Sequence, residues 1–481
     1  MVARMRTLIN NLEFVLQLDE RGSVLGEAAV VVEDDRIADV GPAAEVARRH
    51  PKGSFGDVVD GSRYGMIPGL IDSHVHLGET LSRAVFPDVV TTHAWVFHWG
   101  KPFYAHTDAR DEQVGALVSM AEMLRCGTTC FLDMGAHNDV AGVVRGMEQV
   151  GIRGITGRHA CDVRPSVPPA GWTEEMVAHH YFADVREALR ALERTVKEFN
   201  GAAGGRVGIW ANIEGKEPDS SLELHIKARS LAEDLGVGTT YHLATTDHEA
   251  RSSQKKYGMS PVKRIAVNGG LGANLVIAHC VAVTDEDVDL MAKAQTGAAF
   301  CPACSLKLGK GATKIGKYPE MLAAGVRLGL GTDGVSAGGN LSMMRQMYLM
   351  AGLFKDARLD ATAVGAAKAL RMATIEGARL LGLGHEIGSI ERGKKADFVL
   401  FDLDHFEWVP YGDPLQAVVY SASPASIAQT WVDGRALYRD GKVQTLDERS
   451  LHAEARSRAR AIVRRAGLST KHTPTVSNVY D

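Results

Sequence analysis

The chain has 481 residues, 45% hydrophobic and 23% charged, with a formal net charge of -4; that is room for two or three domain-sized units, or one large barrel with additions around a sizeable core. The charge leaves no electrostatic footprint for a nucleic acid, no run of roughly 18 apolar residues offers a membrane span, and Asn10, Asn11 and Glu13 interrupt any signal-peptide core. Six scattered cysteines, with Cys301 and Cys304 a C-x-x-C pair that has no second pair, suit a reduced cytoplasmic protein rather than a disulfide scaffold.

Residues 1–65 read as short strands. Thr7-Leu8-Ile9, Glu13-Phe14-Val15-Leu16 and Ala29-Val30-Val31-Val32 are β-rich runs, and Asp34-Asp35-Arg36 turns the chain into Ile37-Ala38-Asp39-Val40-Gly41. From His74 to about residue 375, apolar strands alternate with amphipathic helices. A helix is predicted over 112–125, where Val114, Leu117, Met120, Ala121 and Leu124 share one face, and another over 221–235. Strands are predicted ending at His76 and over 127–133, 151–157, 207–213, 238–242, 275–279, 297–301 and 326–333. Eight such units predict an α/β fold, a (β/α)8 TIM barrel over residues 66–382. Helices near 360–381 lead back to strands at 388–401, 429–435 and 442–443. These join the N-terminal strands in a composite, β-sandwich-like domain of residues 1–65 plus 383–445. A helix and polar tail over 446–481 close the chain, the helix's Arg-rich face reading as a solvated surface.

The chemistry is announced by Ile71-Asp72-Ser73-His74-Val75-His76. In a strand, residues i and i+2 point to the same side, so both imidazoles lean into one space. His242, His279 and Asp333 end later strands, and in such barrels the strand C-termini carry the site. Three imidazoles and a carboxylate leave a divalent ion one open position for water, the catalytic rather than the closed structural arrangement. The ion lowers the pKa of bound water to about 7. Asp333 can touch the metal and still accept a proton; His279 can polarise the substrate or help move that proton. Zinc is the default single ion; Fe2+, Co2+ and Mn2+ suit the same ligands.

The motifs Pro68-Gly69-Leu70-Ile71-Asp72-Ser73-His74-Val75-His76, Glu122-Met123-Leu124-Arg125-Cys126-Gly127-Thr128-Thr129, Ser305-Leu306-Lys307-Leu308-Gly309-Lys310-Gly311 and Gly331-Thr332-Asp333-Gly334 resemble those of the amidohydrolase superfamily. The likeness is to its branch of aromatic deaminases and triazine chlorohydrolases, and it extends over about residues 7–445. It implies a barrel, a divalent metal and attack by bound water. His74, His76, His242 and Asp333 match the metal ligands, and His279 the histidine beside them.

Two departures bear on the reaction. The deaminases of this branch carry His-x-x-Glu on the fifth strand, the glutamate giving its proton to a ring nitrogen; here Thr245 stands in that place, and a hydroxyl cannot serve as that acid near neutral pH. Asp247 and Glu249 follow at other offsets. On the fourth strand the chain shows Ala211-Asn212-Ile213-Glu214-Gly215-Lys216-Glu217-Pro218, where Asn212 is a candidate substrate contact and Glu214 and Lys216 could share a face or bridge a second metal. The first loop, 86–104, concentrates Trp95, Phe97, His98, Trp99, Phe103 and Tyr104, which suits a wall for an aryl substrate or a subunit contact in a homo-oligomer. The aromatic loop and missing glutamate look most like phenylurea and thiocarbamate hydrolases. His93, His98, His106, His137 and His159 read as structural histidines, and Cys304 as structural.

The leading expectation is therefore a metal-dependent hydrolase that cleaves a urea, amide or carbamate C–N bond in a small aromatic or heteroaromatic compound. The alternatives are a deaminase or dechlorinase of a purine, pterin or triazine ring, and a non-catalytic scaffold of the same fold.

Overall fold

The structure, a computed structural model, describes residues 6–51, 53–166, 172–217 and 219–468. The polar tail beyond 468, the first five residues and Pro218 lie outside the described residues.

Eight parallel strand positions build a barrel among the described residues. They are Leu70–Val75, Thr128–Asp133, Gly154–Thr156 continued by His159–Ala160, Val207–Ile209 continued by Ala211–Ile213, Thr239–Leu243, Leu275–His279, Gly297–Phe300 and Leu328–Leu330. Each pairs with its successor in chain order. The ring closes where Asp333 N donates to His74 O at 2.9 Å and Thr332 N to the buried Asp72 carboxylate at 3.0 Å. Most strand residues are buried, as strands covered on both faces require. The helix predicted over 112–125 runs Ala109–Arg125, started by a capping box between Asp108 and Asp111. That predicted over 221–235 runs Leu222–Asp234, with Ser221 as its N-cap.

The strands from the two chain ends form one nine-stranded sheet among the described residues. The two runs expected near residue 10 are a single strand, Arg6–Leu16, kinked by a bulge where Asn11 adopts φ 60°. Tyr64–Pro68 joins the halves, pairing antiparallel with Phe398–Asp402. The sheet curls until Ile37 and Lys394 meet through a main-chain bond of 2.8 Å. Inside the curl pack Ile9, Val15, Val30, Met66 and Leu400, with Phe398 stacked on Trp431 at 5.1 Å. Only Gly69 separates Tyr64–Pro68 from the first barrel strand. Nearby, Arg153 grips Asp397 and Asp433 in a buried ion cluster that ties barrel to sheet.

Two expectations change here. The aromatic segment is helical, as Thr92–Ala94, Trp95–Gly100 and Lys101–Ala105. The last helix, Glu448–Arg465, uses part of its Arg-rich face for docking: Arg458 and Arg465 reach the buried Asp111 at 2.9 and 2.8 Å. Among the described residues no helix is long and apolar enough to cross a membrane.

Candidate active site

His74, His76, His242, His279 and Asp333 converge where the barrel strands end. His76 Nε2 lies 3.2 Å from His242 Nε2 and 3.5 Å from Asp333 Oδ1, while His74 Nε2 lies 3.8 Å from that same oxygen. Ligand atoms held tetrahedrally about 2.1 Å from an ion stand about 3.4 Å apart, so these separations are those of a metal cage. Neither nitrogen of the fully buried His74 has a hydrogen-bond partner among the described residues; a bound ion relieves Nε2, the nitrogen that faces Asp333. Burial pushes the pKa of His74 down to about 3 and that of His242 well below its usual range; both stay neutral, as a metal ligand must. His242 Nδ1 donates to the Glu214 carbonyl at 2.7 Å, which turns the lone pair of Nε2 toward the cage. The donor set therefore fits one divalent ion.

Asp333 divides its oxygens. Oδ1 faces His74 and His76; Oδ2 faces His279 Nε2 at 3.7 Å and Lys310 Nζ at 3.9 Å. Burial alone would raise the pKa of this carboxyl, but Lys310, His74 and His76 outweigh it and hold Asp333 ionised. Both Asp333 (φ 62°) and His279 (φ 78°) sit in the left-handed region. Asp and His are among the non-glycine side chains that adopt that conformation most readily. It swings both groups inward as their strands end. Gly215, at φ 92°, is required nearby, since a Cβ there would collide with the His242 carbonyl.

The other expected contacts divide. Trp95 lines the metal-side cavity, of about 60 Å³, with Glu214 and Lys216. Glu214 lies 3.1 Å from His159 Nε2 and 3.7 Å from Lys216; although burial opposes it, His242, Lys216 and His159 keep it ionised. Thr245 is buried in the wall of an adjoining chamber. Glu249 is spent capping the Ala244 and Thr245 amides at 2.8 Å each. Asn212 turns away, its amide bound to the Asp133 carbonyl at 2.8 Å, and Trp99 packs on the core outside both cavities.

Several cavity residues escaped the sequence reading. Glu79 lies 3.3 Å from His76 Nδ1 and accepts from Ser336. Lys310 is buried 3.4 Å from His279 Nε2. His137 stacks on His159 at 4.1 Å, on His180 at 4.8 Å and on Tyr104 at 5.6 Å. His137 and His159, read as isolated structural histidines, thus form one wall of the site with His180. The Ser305–Gly311 motif did mark the loop that delivers Lys310; nothing local marked Glu79 or His180.

A parallel barrel with a metal cage at its strand ends defines a metal-dependent hydrolase. The amidohydrolase family model matches residues 66–437, and a bacterial imidazolonepropionase-like composite domain matches residues 28–52. The chain belongs to the amidohydrolase family and is a hydrolytic enzyme acting on C–N bonds. It is 34% identical to a 5-methylthioadenosine/S-adenosylhomocysteine deaminase of Moorella thermoacetica, over 91% of this chain and 96% of that one. It is 32% identical to a 5'-deoxyadenosine deaminase of Methanothermobacter thermautotrophicus, over 89% and 92%. Among solved structures, a zinc-bound adenosine deaminase from Xanthomonas campestris superposes with a TM-score of 0.82 at 26% identity, covering 95% of this chain and 98% of that one. The zinc complex of the atrazine chlorohydrolase TrzN from Arthrobacter aurescens gives 0.82 at 23% identity, over 94% and 100%, a likeness of fold. These relatives support the deaminase side of the expected branch and do not support the expected phenylurea and thiocarbamate likeness.

Proposed function

We propose that this enzyme removes an amino group hydrolytically from a small N-heteroaromatic compound, using one divalent ion, zinc by preference, held by His74, His76, His242 and Asp333. The observation that carries the reading is the end-to-end similarity to nucleoside deaminases, together with the cage geometry. The ion, when bound, supplies water acidic enough to attack at neutral pH. Asp333 Oδ2 takes the proton of the attacking water, being the oxygen turned away from His74 and His76. His279, 3.7 Å from that oxygen, orients the attacked group and receives or returns the proton. The histidine wall and Trp95 hold the ring and exclude water.

Thr245 favours a second reading. No carboxylate from the fifth strand stands ready to protonate a ring nitrogen, since Glu249 is committed to backbone amides. Cleavage of a urea, amide or carbamate needs no such ring acid. The two are separated by supplying the metal-loaded enzyme with methylthioadenosine, 5'-deoxyadenosine and atrazine on one side, and phenylurea on the other, while measuring released ammonia, chloride and aniline. Ammonia from an adenosine supports the lead; aniline from phenylurea, with no ammonia from either adenosine, replaces it with the second reading. Thr245→Glu sharpens the choice: it raises kcat on a ring substrate limited by proton delivery and gives a urea substrate no such gain.

A further inference from the structure

Beside the metal-side cavity lies a larger one of about 240 Å³, and the two share Thr92, Val96, Glu214 and Lys216 as a common boundary. It opens between the helical aromatic segment and the helix Asp247–Tyr257, which follows the fifth strand. Its apolar wall is Val96, Phe97, Leu222, Leu243 and Ile265. Leu243 and Ile265 are at most 5% exposed, so this is a formed recess rather than a surface groove. An apolar cavity of about 150 Å³ already accepts benzene.

The charged groups around the chamber decide what enters it. Asp219 is neutralised by Lys101 at 2.5 Å, and Glu217 by Arg264 and by Lys256 at 3.2 Å. Glu249 takes two backbone amides, while Glu214 and Lys216 face each other at 3.7 Å. Every carboxylate, lysine and arginine in the lining therefore already has a partner, and a charged ligand terminus would find no free opposite charge among them, at a large desolvation cost.

We propose that this chamber binds a neutral apolar arm of the substrate, alkyl or aryl and without a charged end, while the reacting group lies over the metal ligands. The substrate class is thus a two-part molecule, a polar planar head with an uncharged hydrophobic substituent. The inference deepens the reading of the same site and rests on it for the head.

Toluene, which has no scissile bond, tests the chamber independently of turnover. It raises the melting temperature of the wild-type protein saturably, and Leu222→Trp, which fills the recess, abolishes that rise while folding normally. Ser252→Trp enters the same space from the exposed side of its helix and serves if Leu222→Trp does not fold. In turnover, lengthening the apolar arm of a cleaved substrate from methyl to butyl lowers KM by about tenfold or more in wild type and not in the filled variant. Methylthioadenosine is accordingly preferred over S-adenosylhomocysteine, whose tail is charged. Equal toluene stabilisation of wild type and both filled variants, or none in wild type, overturns the chamber. Normal toluene behaviour with no C–N substrate turned over leaves the chamber standing and strikes the reaction reading alone.

Discussion

Lys101 controls the aromatic segment over the site, and Lys101→Met measures by how much. Its ammonium is 4% exposed and donates to Asp219 at 2.5 Å and to Tyr181 Oη at 2.7 Å. The three residues come from the first, third and fourth strand-to-helix connections, so the clamp joins separate loops. Methionine preserves the stem and leaves Asp219 buried with only the Tyr181 hydroxyl, at 2.5 Å, as a side-chain donor. Removing one partner of a buried ion pair costs about 3–5 kcal/mol. Lost cation–π contacts to Phe97 at 4.8 Å and Tyr181 at 5.1 Å add about 1 kcal/mol. Urea unfolding should therefore register a loss of about 4–6 kcal/mol. KM should rise by about tenfold, because Trp95 and Val96 are no longer held in place. Adding Asp219→Asn should recover about 3 kcal/mol, since most of the loss is the stranded carboxylate. A Lys101→Met protein within about 0.5 kcal/mol of wild type, with KM unchanged, would refute the clamp.

The metal cage predicts that Asp333→Asn and His242→Ala abolish turnover and lower the bound metal from about one ion per chain, measured by elemental analysis, while circular dichroism stays native. Burial pushes the Cys126 and Cys130 thiols up to about 12 and the remaining four upward as well. A native sample should accordingly show no thiol titre toward a disulfide reagent, even at a pH of about 9, until denaturant is added. Arg110 and Arg458, acting against burial, lower the Glu454 carboxyl from the ordinary 4.5 to about 2. Its contribution to docking the last helix is present above the unfolded value and lost as pH falls toward the folded one. The difference in melting temperature between wild type and Glu454→Gln should therefore be flat above a pH of about 5 and shrink below about 4.

The barrel was legible because its strands are continuous apolar runs bounded by turns. The run predicted over 275–279 is the strand Leu275–His279. The run 326–333 shortens to Leu328–Leu330, because Asp333 leaves the extended region to turn its carboxylate inward. The aromatic segment misled for a periodic reason: Trp95–Gly100 winds as a π-helix, so its buried positions follow neither a strand nor an α-helix repeat. The Arg-rich face of the last helix misled for a long-range one. Arg458 and Arg465 find Asp111 more than three hundred residues earlier, and no local charge pattern contains that pairing.

The site follows the same division. His74, His76, His242, His279 and Asp333 are held at or just beyond strand ends, so spacing and strand register expose them in the sequence. Glu79, His180 and Lys310 arrive from connections, where no repeat ties a residue to a direction. In the proposed reaction the strand-end group makes the nucleophile, and kinship with deaminases of 30% identity and more supports that half of the proposal. The connection group lines the cavity beside it. Thr245 stands at the join, at the end of the fifth strand yet in the wall of the side chamber. A glutamate there would add a carboxylate to a recess whose wall includes Leu243 and Ile265; a threonine adds no charge. Read that way, the departure at 245 is a statement about the substrate's apolar arm as much as about the leaving group's proton, and the toluene and Thr245→Glu measurements address one choice of residue from its two sides.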